Sequence, residues 1–189
     1  MPAESTYVPR MSPPALLTAD ELQHFYVPDK RVELVRGLLV VRELPGMRHA
    51  RVAMDLALAL GAHVRAAALG RVYAEAGFKL ASNPDTVRGP DIAFISRGRI
   101  PDPEPTGFAG FAPDLVVEVI SPGDRAGEVL AKVADWISAG TRVVWVLDPA
   151  RRVARVYRAD GTEQILTADE SLDGGDVVPD FSCPLREIF

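Results

Sequence analysis

Glu118 stands inside Leu115-Val116-Val117-Glu118-Val119-Ile120, a run apolar enough to be a central strand. Strand alternation puts its carboxylate on the same face as Val116 and Ile120. An ionised carboxylate there costs roughly several kcal/mol unless it is paired or bound to a cation. An arginine partner or a retained proton would satisfy it structurally; a metal ion would satisfy it functionally. Asp91 opens a second apolar segment, Ile92-Ala93-Phe94-Ile95, directly after Gly89-Pro90. Alone, an aspartate at a strand start is turn chemistry. Entering from neighbouring strands, Asp91 and Glu118 can share one hard cation such as Mg²⁺, with Mn²⁺ as its substitute. Such an ion takes oxygen ligands and keeps several waters.

Glu33, between Val32 and Leu34, is the third candidate acid. Three negative charges at one site repel one another without metal and are favourable with one or two cations. The alternative is a strand residue facing solvent. Lys132 lies in the helical segment after Glu118, which is expected to bury Ala126, Val129, Leu130, Val133, Trp136 and Ile137. At about 100° per residue Lys132 falls on the edge of that stripe. It can snorkel to solvent, or reach back to Glu118 and stabilise charge developing in a hydrolytic transition state. His49, at the start of a long helix, either touches substrate or is an ordinary polar first-turn residue. Ser121, Asp124 and Arg125 read first as helix-entry chemistry. His24 and His63 have no zinc spacing, Cys183 has no histidine near it in sequence, and no phosphate-loop or dinucleotide glycine fingerprint occurs.

These residues need elements to hold them. Residues 1–16, rich in proline and small residues, read as a flexible arm, and 17–189 as one domain. Thr18-Ala19-Asp20-Glu21 is a capping box opening a short helix to about Phe25. Residues 31–35 and 38–41 form a hairpin about Gly37. A helix spans 48–69 and stops at Gly70. Strands follow at 71–80, 91–96 and 114–120, the last two separated by a loop with four prolines. A helix at 125–139, a buried strand at 142–148, and a pair at 152–158 and 163–167 about Asp160-Gly161 complete the order. The tail from Val177 packs back on the core. The expected architecture is an α/β fold with a mixed central sheet flanked by helices.

Composition limits the function. The 189 residues are 48% hydrophobic and 25% charged, enough for a packed core. The net charge of −5 argues against holding nucleic acid by general charge attraction. It is compatible with acids gathered around a cation. One cysteine excludes an internal disulfide. With no bilayer-spanning run and no signal-peptide pattern at the start, the expected location is the cytoplasm, with no membrane partner.

The motifs together resemble a known family. Glu33-Leu34-Val35-x-Gly37, His49, Gly89-Pro90-Asp91-Ile92-Ala93-Phe94, Ala112-Pro113-Asp114 through Glu118-Val119-Ile120-Ser121-Pro122, Lys132, and Ala139-Gly140 with Trp145-Val146-Leu147-Asp148-Pro149 are similar to the Uma-two family, a bacterial group of restriction-endonuclease-like proteins. The resemblance covers roughly residues 17–189. It implies the PD-(D/E)xK nuclease fold, with Asp91 and Glu118 as the metal carboxylates. The usual lysine two residues after the acid is replaced here by Ile120. The resemblance implies that Lys132, on the next helix, takes over its role, and that Glu33 completes the site.

The functional expectation is a Mg²⁺-dependent endonuclease hydrolysing DNA. Asp91, Glu118 and the Val119 carbonyl would hold the cation, and Glu33 a second cation or the attacking water. Arg48, Arg51, Arg88, Arg97 and Arg99 are possible phosphate contacts, and a homodimer is a possible assembly. The alternatives are a non-catalytic member of the fold that binds nucleic acid or protein, and a structural oligomer whose buried acids pair with arginine.

Overall fold

The computed structural model describes residues 15–189. The arm expected at 1–16 lies almost wholly outside the described residues. At their edge, Leu17 donates to the Gly37 carbonyl at 2.8 Å. The capping box forms as its spacing predicts: Thr18 Oγ1 accepts from the Glu21 N–H, and the Glu21 carboxylate accepts from the Thr18 N–H. Helix α1 (Ala19–Gln23) follows. Strands β1 (Lys30–Val35) and β2 (Leu38–Glu43) pair without a break from Lys30↔Glu43 to Val35↔Leu38. Their turn is Arg36-Gly37, both at positive φ (50° and 77°), as a two-residue type I′ turn requires.

Helix α2 (Met47–Ala66) buries Val52, Leu56, Leu60 and Val64, a stripe at four-residue spacing. It ends three residues earlier than its pattern suggested, because Ala68 takes a left-handed φ of 54° before Gly70. The segment read as one strand at 71–80 is two. Strand β3 (Gly70–Ala74) joins the six-stranded sheet, whereas β4 (Phe78–Ala81) joins the four-stranded one. Glu75, at φ 55°, breaks the run. Strand β5 (Thr86–Arg88), three residues long, gave no periodic signal and was not anticipated.

Strands β6 (Ile92–Ser96), β7 (Leu115–Val119), β8 (Val143–Asp148), β9 (Val153–Arg158) and β10 (Glu163–Thr167) complete the main sheet. Its order is β10-β9-β8-β7-β6-β3, with β7 and β8 parallel and the other neighbours antiparallel. The smaller sheet runs β2-β1-β5-β4. A two-stranded pair, β11 (Ser171–Asp173) and β12 (Ser182–Pro184), carries the tail. The expected mixed sheet with flanking helices is therefore what forms.

Alternation along β7 divides the core in two. Leu115, Val117 and Val119 pack with the α2 stripe and with Val178, Phe181 and Leu185 of the tail. Val116 packs with Val144, Val146, Val133 and Trp136, the last two on helix α3 (Ala126–Ser138). Each fully buried side chain of this size contributes about 1.5–3 kcal/mol against exposure. The inner stripe of α3 keeps Val129, Val133, Trp136 and Ile137 as expected, but not Ala126 and Leu130. Leu130 is 52% exposed and Ala126 faces solvent, while Lys132 is partly buried. Glu118 lies on the α3 face of β7, and the helix turns its lysine toward it.

Candidate active site

Glu118 is 7% exposed, one residue from the end of β7, a strand buried at every position. Two donors come from α3, one turn apart. Lys132 Nζ lies 3.0 Å from Glu118 Oε2, and Trp136 Nε1 donates to Oε1 at 2.9 Å. Positions 132 and 136 share a helix face, so one helix supplies both partners. Trp136, expected only as core, is also a hydrogen-bond donor to this acid.

Asp91 precedes β6 by one residue and is also 7% exposed. Its Oδ2 accepts from the Val119 N–H at 2.7 Å. His49 Nε2 and Arg31 Nη1 lie 3.0 and 3.1 Å from Oδ1. His49 sits in the first turn of α2, and its Nδ1 is 3.0 Å from Ser121 Oγ, just past β7. In the neutral ring Nε2–H donates to Asp91 and Nδ1 accepts the Ser121 hydroxyl.

Glu33, on β1, is 5% exposed rather than solvent-facing. Arg88 donates to its Oε2 at 2.9 Å, the Gly89 N–H reaches Oε1 at 3.2 Å, and Lys132 Nζ stands 3.4 Å away. Lys132 is thus shared between Glu33 and Glu118. Arg88 is 3% exposed and also binds Asp135 on α3 at 2.6 Å, so it is an internal tie and not a free phosphate contact. Arg99 is likewise held by Asp114, and Arg51 by Asp55.

One cleft of about 590 Å³ is lined by Glu33, His49, Asp91, Glu118, Val119 and Lys132 together. Arg31, Arg42, Ser121 and Asp124 also line it. Sequence reasoning gave these four no role, or only a helix-entry role. Their signal is tertiary: Arg42 of β2 crosses to Glu128 at 3.0 Å and Asp124 at 3.5 Å, a contact across more than eighty positions of chain.

The site's charges are strongly coupled. Burial pushes the Glu118 carboxyl up, and Asp91 and Glu33 push the same way. Lys132 and Trp136 offset only part of this, so Glu118 titrates above its ordinary range. Burial also opposes ionisation of Asp91 and Glu33 but loses there. The His49 and Val119 contacts hold Asp91 below its usual range, and Lys132, Arg88 and the Gly89 N–H do the same for Glu33. Burial pulls the Lys132 ammonium down, yet Glu118 and Glu33 raise it above normal. The result is a floor in which Glu118 is the acid that burial and its acidic neighbours disfavour most in the charged form.

The donor chemistry fits a hard cation. In the β6–β7 register Ile92 faces Val117, so Pro90 falls opposite Val119. The Val119 N–H points to that side, toward Asp91, and its carbonyl points the same way. Pro90 has no N–H to give it. Val119 thus ends β7 with a carbonyl that has no ladder donor, next in sequence to Glu118 and tied through its N–H to Asp91, and all three would offer oxygen. Among the described residues no three side chains of the His, Cys, Asp and Glu types stand as a ready metal cage. An ion held here would keep waters in its remaining positions, as Mg²⁺ does.

The fold and this cleft define a class before any name does. A crystal structure of a putative nuclease belonging to DUF820, from Anabaena variabilis ATCC 29413, is similar to this chain at a TM-score of 0.81, covering 92% of this chain and 97% of that one at 20% identity. That likeness shows the shared fold. A family model, Uma2, described as "Putative restriction endonuclease", matches residues 19–186, and the chain belongs to that family. No curated protein matches it.

Proposed function

We propose that the chain is a divalent-metal-dependent nuclease that hydrolyses phosphodiester bonds of DNA. The observation that carries this reading is Glu118, a buried carboxylate on a central strand whose ionisation the surrounding protein leaves underpaid. It lies in the same cleft as Asp91, the ladder-free Val119 carbonyl and Lys132. Asp91, Glu118 and the Val119 carbonyl would hold Mg²⁺, which when bound supplies Lewis acidity and a more acidic water.

The chain's own residues account for the rest. Lys132, 3.0 Å from Glu118, places an ammonium where negative charge grows on the phosphate as the water oxygen attacks phosphorus. The bond to the leaving sugar oxygen breaks in the same displacement. Electrostatic stabilisation of this kind is typically worth a few kcal/mol. Glu33 holds Lys132 from the other side, and His49 orients Asp91. In this reading Lys132 stands in for the lysine of the usual motif, whose place in sequence Ile120 occupies. A second reading, a non-catalytic binding module, is favoured by the pairing already present: each acid has a protein donor without any cation.

Thermal melting with and without Mn²⁺ tests the metal, and plasmid nicking separates the readings. A native state that binds the ion must melt higher in its presence, by about 2.7 kcal/mol at a hundredfold excess over Kd. We expect that rise in the parent protein and not in Glu118→Ala or Asp91→Ala, with nicking abolished in both. An equal rise in all three proteins, or none, sinks the metal reading. Metal binding without nicking leaves the binding module.

A further inference from the structure

Ser121 and Asp124 have the residue types of helix entry, yet neither caps α3. The N-cap of that helix is Arg125, whose side chain makes no capping bond. The two residues are engaged elsewhere. Asp124 Oδ2 accepts the Ser121 N–H at 2.8 Å, and the Asp124 N–H donates to the Ser121 carbonyl at 3.0 Å. This closed turn after β7 fixes the backbone of Ser121 and leaves its hydroxyl 3.0 Å from His49 Nδ1.

We propose that Ser121 is a positioning residue of the metal site: through the His49 ring it sets which oxygen of Asp91 stays open for a divalent cation. This rests on the metal reading above.

A neutral imidazole carries one proton, and either nitrogen can hold it. Asp91 is held on its ionised side and so only accepts. Nε2, 3.0 Å from Asp91 Oδ1, is therefore the nitrogen that bears the proton. A lone pair is left on Nδ1, and the Ser121 hydroxyl is placed to donate to it. Two bonds, one at each nitrogen, fix the plane of the ring and its tautomer together. With Nδ1 unbonded the ring pivots about its remaining contact. A proton moved to Nδ1 would set the Nε2 lone pair against a carboxylate and drive the two apart.

The consequence falls on Asp91. A carboxylate accepts about four donors, two on each oxygen. Oδ1 takes two, from His49 and Arg31, at 3.0 and 3.1 Å. Oδ2 takes one, the Val119 N–H at 2.7 Å. One acceptor position is left, on Oδ2, the oxygen tied to the residue whose carbonyl has no ladder donor. When His49 lets go, Oδ1 opens as well, and the carboxylate has two competing orientations to offer a cation in place of one. Groups that orient a metal ligand from behind typically change metal affinity about 10–100-fold. A purely structural role for Ser121, as the start of the turn into α3, would lower stability and leave the ring and the cation unaffected.

The test uses the full chain, with Ser121→Ala removing the hydroxyl and Ser121→Thr keeping it. The first readout needs no metal: ring spectra of the ¹⁵N-histidine-labelled protein in mildly alkaline buffer, with the His49 signal assigned by its loss in His49→Gln. We expect one sharp Nε2–H tautomer in the parent and in Ser121→Thr, and a broadened or mixed signal in Ser121→Ala. The second readout is Mn²⁺ affinity by calorimetric titration. Ser121→Ala should bind about tenfold more weakly than the parent, and Ser121→Thr within about twofold of it. A parent ring protonated at Nδ1, or an unchanged ring signal or Mn²⁺ affinity in Ser121→Ala, overturns the assignment. So does a loss in Ser121→Thr as large as in Ser121→Ala. These outcomes leave the metal reading standing. A parent chain that binds no Mn²⁺ sinks that reading, and this role of Ser121 with it.

Discussion

At the scale of single residues, two acids in one cleft titrate in opposite directions. Asp91 is held below its ordinary value of 3.8. Its stabilisation is therefore complete above the unfolded value and is lost as pH falls through the lower folded one. Glu118 is raised above its ordinary 4.5, so its ionisation weighs against the native state as pH rises past the unfolded value. Urea unfolding between pH 2.5 and 7 without divalent ions should separate them. Asp91→Asn should flatten the acid limb of the stability curve, and Glu118→Gln should flatten the loss toward neutrality. Both acids were legible in sequence, Glu118 because it interrupts an apolar strand and Asp91 because it opens one. Trp136 was not: an indole among valines reads as core, and only the β7–α3 packing shows that its N–H meets a carboxylate. Arg88 was legible as a cation but not as a buried one, because its two acids come from β1 and α3.

At the scale of elements, periodicity identified what was long and amphipathic. Helices α2 and α3, the hairpin, and strands β6 to β10 all followed from spacing, turn residues and apolar runs. It failed where a local conformation cut through a continuous pattern, as at Glu75. It also failed where a strand is too short to show a period, as at β5. On α3 it took Ala126 and Leu130 as buried when both are exposed, and it left open which way Lys132 turns, because the acid that receives its ammonium lies on the facing strand. Close approach is another thing spacing does not reveal. A Cβ built on Gly70 would stand 2.0 Å from the Ile95 carbonyl oxygen, in the β3–β6 ladder. Gly70→Ala should therefore push β3 off its neighbour and cost about 2 kcal/mol or more, lowering Tm by roughly 4–8 °C by calorimetry.

At the scale of the molecule, the four-stranded sheet and α3 meet at one buried cation. Arg88 leaves β5, binds Glu33 on β1, and binds Asp135 on α3. Removing one member of such a group strands the others as uncompensated charges. Arg88→Met, close in volume, is expected to lose about 3–5 kcal/mol in urea unfolding at pH 7. Replacing Arg88, Glu33 and Asp135 together by apolar residues should recover much of that loss, because no charge is then left alone. The same triple variant should cut DNA poorly, since Lys132 would lose the acid that holds it opposite Glu118. A large loss in the triple variant equal to that of Arg88→Met would show that the tie stabilises by packing and not by charge.

Pro90 sets a trade between architecture and chemistry. An imino acid at that point keeps the sheet from closing its last rung and leaves an oxygen of the neighbouring chain segment available for other use. Supplying the missing hydrogen through Pro90→Ala should knit the strand end shut. The rung gained, about 0.5–1.5 kcal/mol, roughly balances the stiffness lost with the ring. The apo protein should then melt almost unchanged, while the extra stability conferred by Mn²⁺ shrinks. In this family member a defect in the weave would be the vacancy into which the ion fits.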